Sequence, residues 1–158
     1  MDQFDVRLAL SDDWETIVDF NCRLAEETEN MQLDPATVRA GVEAVLADPH
    51  KGRYFVACVG QNVVGQMMHT WEWSDWRNGE IWWLQSVFVA PQYRRQGVFR
   101  RLYQHLLDEA VADPNVVGLR LYVERENQPA HATYRGLGMQ ETDYLVMERF
   151  VSTRKATE

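Results

Sequence analysis

From Phe4 to Leu10 every second residue is apolar (Phe4, Val6, Leu8, Leu10), the period of a strand with one covered face. Ser11 and Asp12 follow as cap residues, and Asp12 with Glu15 resembles a capping box. The period then becomes helical, with Trp14, Ile17, Val18, Cys22 and Ala25 on one face and an acidic end at Glu26, Glu27 and Glu29. Asp34-Pro35 predicts a second helix start, striped by Val38, Val42, Val45 and Leu46 and stopped by Asp48-Pro49. Strands are expected from Arg53 to Val59 and from Val63 to about Trp71, joined by a turn at Gly60-Gln61-Asn62. Asn78-Gly79 signals a hairpin, after which Ile81–Val89 is a nearly unbroken apolar run, as in a central strand covered on both faces.

After Gly97, residues Phe99, Leu102, Tyr103, Leu106, Leu107, Ala110 and Val111 follow the helical template closely. Asp113-Pro114-Asn115 breaks this helix, and Val116–Val123 predicts another central strand. A short helix is expected from Pro129 to about Leu137 and a last strand from Tyr144 to Val151. The order β-α-α-β-β-β-α-β-α-β implies an α/β domain over residues 1–151, a mixed sheet with helices on both faces, and a polar tail over 152–158.

Composition narrows the reading. A chain of 158 residues suits one domain. A net charge of -8 argues against a nucleic-acid partner, which calls for a broad basic face. No apolar run approaches the roughly 20 residues of a membrane span, and the acidic N-terminus does not read as a secretory signal. Cys22 and Cys58 share no metal-like spacing and read as thiols of a reducing compartment, so a cytoplasmic location is expected.

The local exception to the acidic balance is Arg94–Arg101. There a buried strand passes through a short loop holding Arg94, Arg95, Gln96 and Gly97, directly into the amphipathic helix. The first amides of a helix lack internal partners and attract anions. Gly97 admits close backbone approach, and Arg94, Arg95 and Arg100 add charge. The loop reads either as a pyrophosphate site or as a solvated basic helix start. It is neither a Walker A loop nor a dinucleotide fingerprint.

Arg94-Arg95-Gln96-Gly97-Val98-Phe99 resembles the acyl-CoA loop of the GNAT superfamily, [QR]-x-x-G-x-[GA], with Phe99 in place of the last small residue. The preceding Val87–Arg94 is similar to that family's strand end, apolar-x-V-x-P-x-Y-R. Asn127, Ala130, Tyr134 and Gly138 match a second segment, N-x-x-A-x-x-x-Y-x-x-x-G, and the diamine acetyltransferase branch is the nearest in feel. The resemblance implies a mostly antiparallel twisted sheet of six or seven strands. It also implies acetyl-CoA as co-substrate, a small primary amine as acceptor, no metal, and a homodimer.

It places the coenzyme on Val87, Phe88, Val89, Arg94, Arg95, Gln96, Gly97, Val98, Phe99, Arg100, Asn127 and Tyr134, with the pantetheine arm where two strands splay between Val89 and Leu121. By the same resemblance Tyr134 is the acid for the leaving thiolate, being protonated at neutral pH. Gln85 stands where relatives carry a glutamate base. It orients a water at best, so Glu72, Glu80, Asp75 and His69 are further candidates, each with a structural alternative. Five tryptophans, Trp71, Trp73, Trp76, Trp82 and Trp83, crowd one hairpin. They read as core, as dimer contact, or as an aromatic wall for a cationic amine, with Trp71, Trp83 and Glu27 as the expected acceptor contacts. Protein N-termini or lysines are alternative acceptors, and a non-catalytic acyl-CoA sensor or an interaction module is the alternative of another class.

Overall fold

The computed structural model describes residues 3–152. Its strands are β1 (Asp5–Leu8), β2 (Arg53–Val59), β3 (Asn62–Ser74), β4 (Gly79–Val89) and β5 (Val116–Leu121). Its helices are α1 (Trp14–Glu29), α2 (Pro35–Ala47), α3 (Val98–Ala112) and α4 (Gln128–Gly136). They form one sheet in the order β1-β2-β3-β4-β5, antiparallel except for β4 and β5, which α3 connects as a parallel crossover.

Alternation along the strands splits the core in two. Phe55, Met67, Trp82 and Leu84 face α3, where Leu102 and Leu106 are fully buried. Each such leucine contributes roughly 1.5–3 kcal/mol. Tyr54 and Met68 face the other way, against Ile17 of α1 and Val42 of α2. The expected α/β class, and helices on both faces, follow from this division. No helix among the described residues is long and apolar enough to cross a membrane.

The structure corrects three local expectations. The cap before α1 is Asp13 rather than Asp12 with Glu15. Its carboxylate accepts from the Leu10 amide at 2.7 Å and from both Arg7 nitrogens at 2.7 and 3.0 Å, which holds its pKa below the usual range against the opposing effect of burial.

The hairpin signalled by Asn78-Gly79 is present, closed by a longer turn than the two residues such a pair usually forms. Four residues link β3 to β4, and Asn78 alone takes a positive φ, of 48°. Gly79 is needed for space, because a Cβ there would sit 2.3 Å from Val117 Cγ1 and 2.9 Å from the Asn115 carbonyl.

The third correction concerns the last strand. Residues 144–151 take no strand pairing, so the described residues hold five strands and not six or seven. A strand requires a neighbour, and these residues pair with none among the described residues. Residues 153–158 of the expected polar tail lie outside the described residues.

Candidate active site

β4 and β5 pair only from Glu80↔Val116 to Leu84↔Leu121. Beyond that point β4 runs on through Gln85, Ser86, Val87, Phe88 and Val89 with β3 on one edge and no strand on the other among the described residues. The two strands part there, between the Val89 and Leu121 named by the family resemblance. Opposite the gap β4 bulges: Gln66 pairs with Phe88 and Met68 with Gln85, so Met67 alone faces Ser86 and Val87. Ser86 holds φ at 50°, a conformation costly for a residue with a Cβ.

Long-range polar contacts hold the bulge. Gln66 Nε2 donates to the Ser86 carbonyl at 3.0 Å and to Asn21 Oδ1 at 2.8 Å, and Asn21 Nδ2 donates to the Tyr54 hydroxyl at 3.0 Å. Burial raises the Tyr54 pKa, so this phenol stays neutral. Sequence reasoning missed the network. Its one visible trace is Gln66 between the apolar residues Val63, Val64, Met67 and Met68 of β3.

The loop after β4 turns through Pro91–Tyr93 and enters α3 at Gly97, whose φ is 88°. Arg95 also holds a positive φ, of 63°. The first bond back into the loop is from the Arg101 amide to the Gly97 carbonyl at 2.9 Å. The amides of Val98, Phe99 and Arg100 have no acceptor among the described residues, and Gly97 is exposed beside them. Unsatisfied donors at a helix start suit a diphosphate. Val98 is buried, so it contributes backbone alone. Gln96 Nε2 donates to the Gln92 carbonyl at 2.8 Å and braces the loop.

Arg94 is spent on structure as the chain stands. Its Nε donates to the Val89 carbonyl at 2.9 Å and its Nη2 to Glu27 at 2.7 Å. Glu27, expected to meet the acceptor, is thereby tied to the loop before α3. Phe99 leans inward, its ring 6.1 Å from Tyr103 and 5.8 Å edge-on from Tyr134.

That contact sets Tyr134 of α4 beside the start of α3. Burial raises its pKa above 10, so the hydroxyl carries its proton throughout the neutral range. The side chain of Asn127 caps α4, accepting from the Ala130 amide at 3.2 Å. Its Nδ2 has no partner among the described residues, so the cap leaves the amide group able to donate to a ligand.

The base candidates separate. Gln85 donates to Thr70 Oγ1 at 2.6 Å. Glu72 accepts from Arg120 at 2.7 Å, and it lies opposite Ile81, on the paired side of the strand opening. Glu80 accepts from Trp82 Nε1 at 3.3 Å, and Asp75 caps the Trp76 amide in the turn. His69 is buried, stacked 4.3 Å from Trp82, and its Nε2 accepts from Arg53 Nε at 3.0 Å. Burial, then the Arg53 charge, lowers its pKa to about 4. Its lone pair is taken, and it is a core residue.

The tryptophans divide by strand parity. Trp71 and Trp82 face each other across β3 and β4 and pack in the α3 core, whereas Trp73 and Trp76 are exposed. Trp83 faces the opposite side with Glu72 and lies 4.5 Å from Tyr122. Trp71, expected at the acceptor, is half-buried and packs against the α3 core. Glu72, Trp83 and Tyr134 all line one long cleft that follows β5. No group of three His, Cys, Asp or Glu that would hold a metal is brought together among the described residues.

A model of the family described as acetyltransferase (GNAT) matches residues 14–139. The thialysine N-epsilon-acetyltransferase of Bos taurus is 28% identical over 131 residues, 75% of this chain and 76% of that protein. The ribosomal protein bS18-alanine N-acetyltransferase of Escherichia coli is 41% identical over 58 residues, 37% of this chain and 38% of that one. The crystal structure of a possible acetyltransferase from Clostridium difficile 630 superposes with a TM-score of 0.89 at 47% identity, covering 96% of this chain and 99% of that one.

Proposed function

We propose that this chain, which belongs to the acetyltransferase (GNAT) family and is an N-acyltransferase, takes its acetyl group from acetyl-CoA and gives it to a small primary amine. The observation that carries the reading is the pairing of two features. The β4 backbone from Gln85 to Val89 has no strand beside it on one edge among the described residues, with the Val89 carbonyl taken by Arg94, and the amides of Val98, Phe99 and Arg100 have no acceptor among them. An extended pantetheine arm would add to the first as a strand does, and a diphosphate would seat on the second, with Gln96 and Gly97 at its rim and Arg95 and Arg100 supplying charge.

In the reaction this coenzyme supplies the thioester. The chain's part is to polarise the carbonyl through a β4 amide near Val87 and to hand the Tyr134 proton to the departing sulfur. The acceptor amine has to shed a proton. No carboxylate stands free at the strand opening among the described residues, so the proton passes to water, with Gln85 positioned to order it. One catalytic domain over residues 1–151, a homodimer and a cytoplasmic location complete the proposal; the two unpaired cysteines suit a reducing compartment.

A small acceptor is favoured because the likeness to the thialysine enzyme extends over 131 residues, against 58 for the bS18-alanine enzyme. The higher identity of that shorter match favours the second reading, a protein N-terminal alanine. Release of CoA thiol should be measured with lysine-like amines, diamines and an alanine-ended peptide. Turnover confined to the small amines supports the proposal, and turnover confined to the peptide replaces the acceptor. Tight coenzyme binding with no thiol release from any of them makes the protein a sensor.

A further inference from the structure

Two unfavourable features meet at one peptide. Ser86 holds its φ of 50°, a backbone conformation that a residue with a Cβ keeps only when its surroundings impose it. On β3, Gln66 is fully buried, and its Oε1 has no partner among the described residues. A buried polar atom left unpaired calls for a reason, since a methionine would fill the same space without that loss.

The hydrogen bonds supply the reason. A carbonyl oxygen only accepts, so the Gln66 atom that meets the Ser86 carbonyl is its amide nitrogen. The second proton of that nitrogen goes to Asn21 Oδ1, and Asn21 is itself oriented by the Tyr54 hydroxyl. The Ser86 side chain acts on the same hydroxyl, so the contacts form a ring that begins and ends at Ser86. Asn21 has little freedom to move. Its neighbour Phe20 is buried, with its ring 4.9 Å from that of Phe88 just past the bulge.

Peptide geometry carries this arrangement to the open edge of β4. In a trans peptide the carbonyl of one residue and the N–H of the next point in opposite directions. Gln66 draws the Ser86 carbonyl toward β3 and α1, so the Val87 N–H is turned away from both. The edge of β4 on that other side has no strand beside it here among the described residues. Were Ser86 to relax to an extended φ, the peptide plane would rotate and the amide would lose this direction.

We propose that Gln66 is a positioning residue for the acyl transfer: its side-chain amide holds the Ser86 carbonyl and so aims the Val87 N–H at a thioester carbonyl lying in the opening beside β4. Asn21 and Tyr54 fix Gln66 in turn. The proposal rests on the reading of the Val87 amide as the donor to that carbonyl. A donor held rigid before the substrate arrives needs no reorganisation as charge develops. That gives the strained serine and the unpaired Oε1 a common function.

The test compares the full wild-type chain with Gln66→Met and Asn21→Leu. The first readout is the carbonyl stretch of bound acetyl-CoA labelled with carbon-13 at the thioester carbonyl, taken by difference infrared spectroscopy without an acceptor. The second is kcat, with the amine that thiol release identifies, set beside the coenzyme Kd. Binding to the wild type is expected to move the stretch to lower frequency, as a hydrogen bond to the carbonyl requires. Gln66→Met should lose most of that shift and lower kcat by about tenfold or more, while the Kd changes by less than about twofold. A chain merely loosened would lose affinity without that split. Asn21→Leu should move both readouts the same way by a smaller factor, and it carries the test if Gln66→Met does not fold. A retained shift or an unaltered kcat in a folded variant overturns the role of Gln66 and leaves the Val87 reading standing. Acetyl-CoA that binds the wild type with no shift overturns the Val87 reading and this proposal together. No binding at all overturns the proposed function itself.

Discussion

Gly65 of β3 and Val98 of α3 lie so close that a Cβ on the glycine would stand 2.8 Å from Val98 Cγ1 and 3.3 Å from the Phe88 carbonyl. The absent side chain lets the first turn of α3 settle on the sheet. Since that turn carries the unsatisfied amides, a residue far from the loop in sequence sets where they point.

Gly65→Ala is therefore expected to destabilise the fold by about 1–3 kcal/mol and to weaken coenzyme binding. Val98→Ala in the same chain makes room and should recover part of both losses. Denaturant melts and calorimetry on the two single variants and the double measure the coupling; strictly additive effects would show that the two positions do not meet.

Gly97→Glu places a carboxylate at the start of α3 and a Cβ on a backbone held at φ 88°. The charge repels a diphosphate and the conformation costs about 1 kcal/mol. Binding of acetyl-CoA by calorimetry should be lost while the melting transition survives. Retained affinity would put the diphosphate elsewhere.

Tyr134→Phe removes the proposed acid and little else, because the ring contact with Phe99 is kept. A fall in kcat of about 100-fold or more is expected, with coenzyme affinity nearly unchanged. Because burial raises the Tyr134 pKa, loss of this proton should not limit the wild-type rate below about pH 10. An unaltered kcat in the variant removes the acid from the scheme.

His69 makes stability depend on pH. Folded, it titrates at about 4; unfolded, near 6.5. Between those values the unfolded chain takes up a proton that the folded one refuses. Its contribution is thus complete above about 6.5, shrinks by up to about 1.4 kcal/mol per pH unit as pH falls toward 4, and levels off below. His69→Gln keeps an acceptor for Arg53 without titrating, so its melts from pH 7 to 4 should fall less steeply than the wild type's. Parallel slopes would mean His69 is not buried neutral.

Much of the fold was legible because it is written at short range. The stripe from Phe99 to Val111 fixed α3, the unbroken run before Val89 marked a central strand, and Asp34 capped α2 through the Thr37 amide as its position implies. The loop proposed for the coenzyme was legible as a loop for the same reason, since the end of β4, the eight residues 90–97 and the start of α3 are contiguous.

The packing of half-buried Trp71 against the α3 core, the exposure of Trp76, the opening beyond Leu84, the bulge at Ser86 and the bond between Glu27 and Arg94 were not legible. Each depends on which strand lies opposite and at what register, and the tail at 144–151 depends on there being a strand opposite at all. Periodicity along the chain chooses helix, strand and covered face, because those follow from neighbours three, four or two residues away. Pairing between distant segments decides which polar groups are left free, and in this protein those free groups form the proposed site.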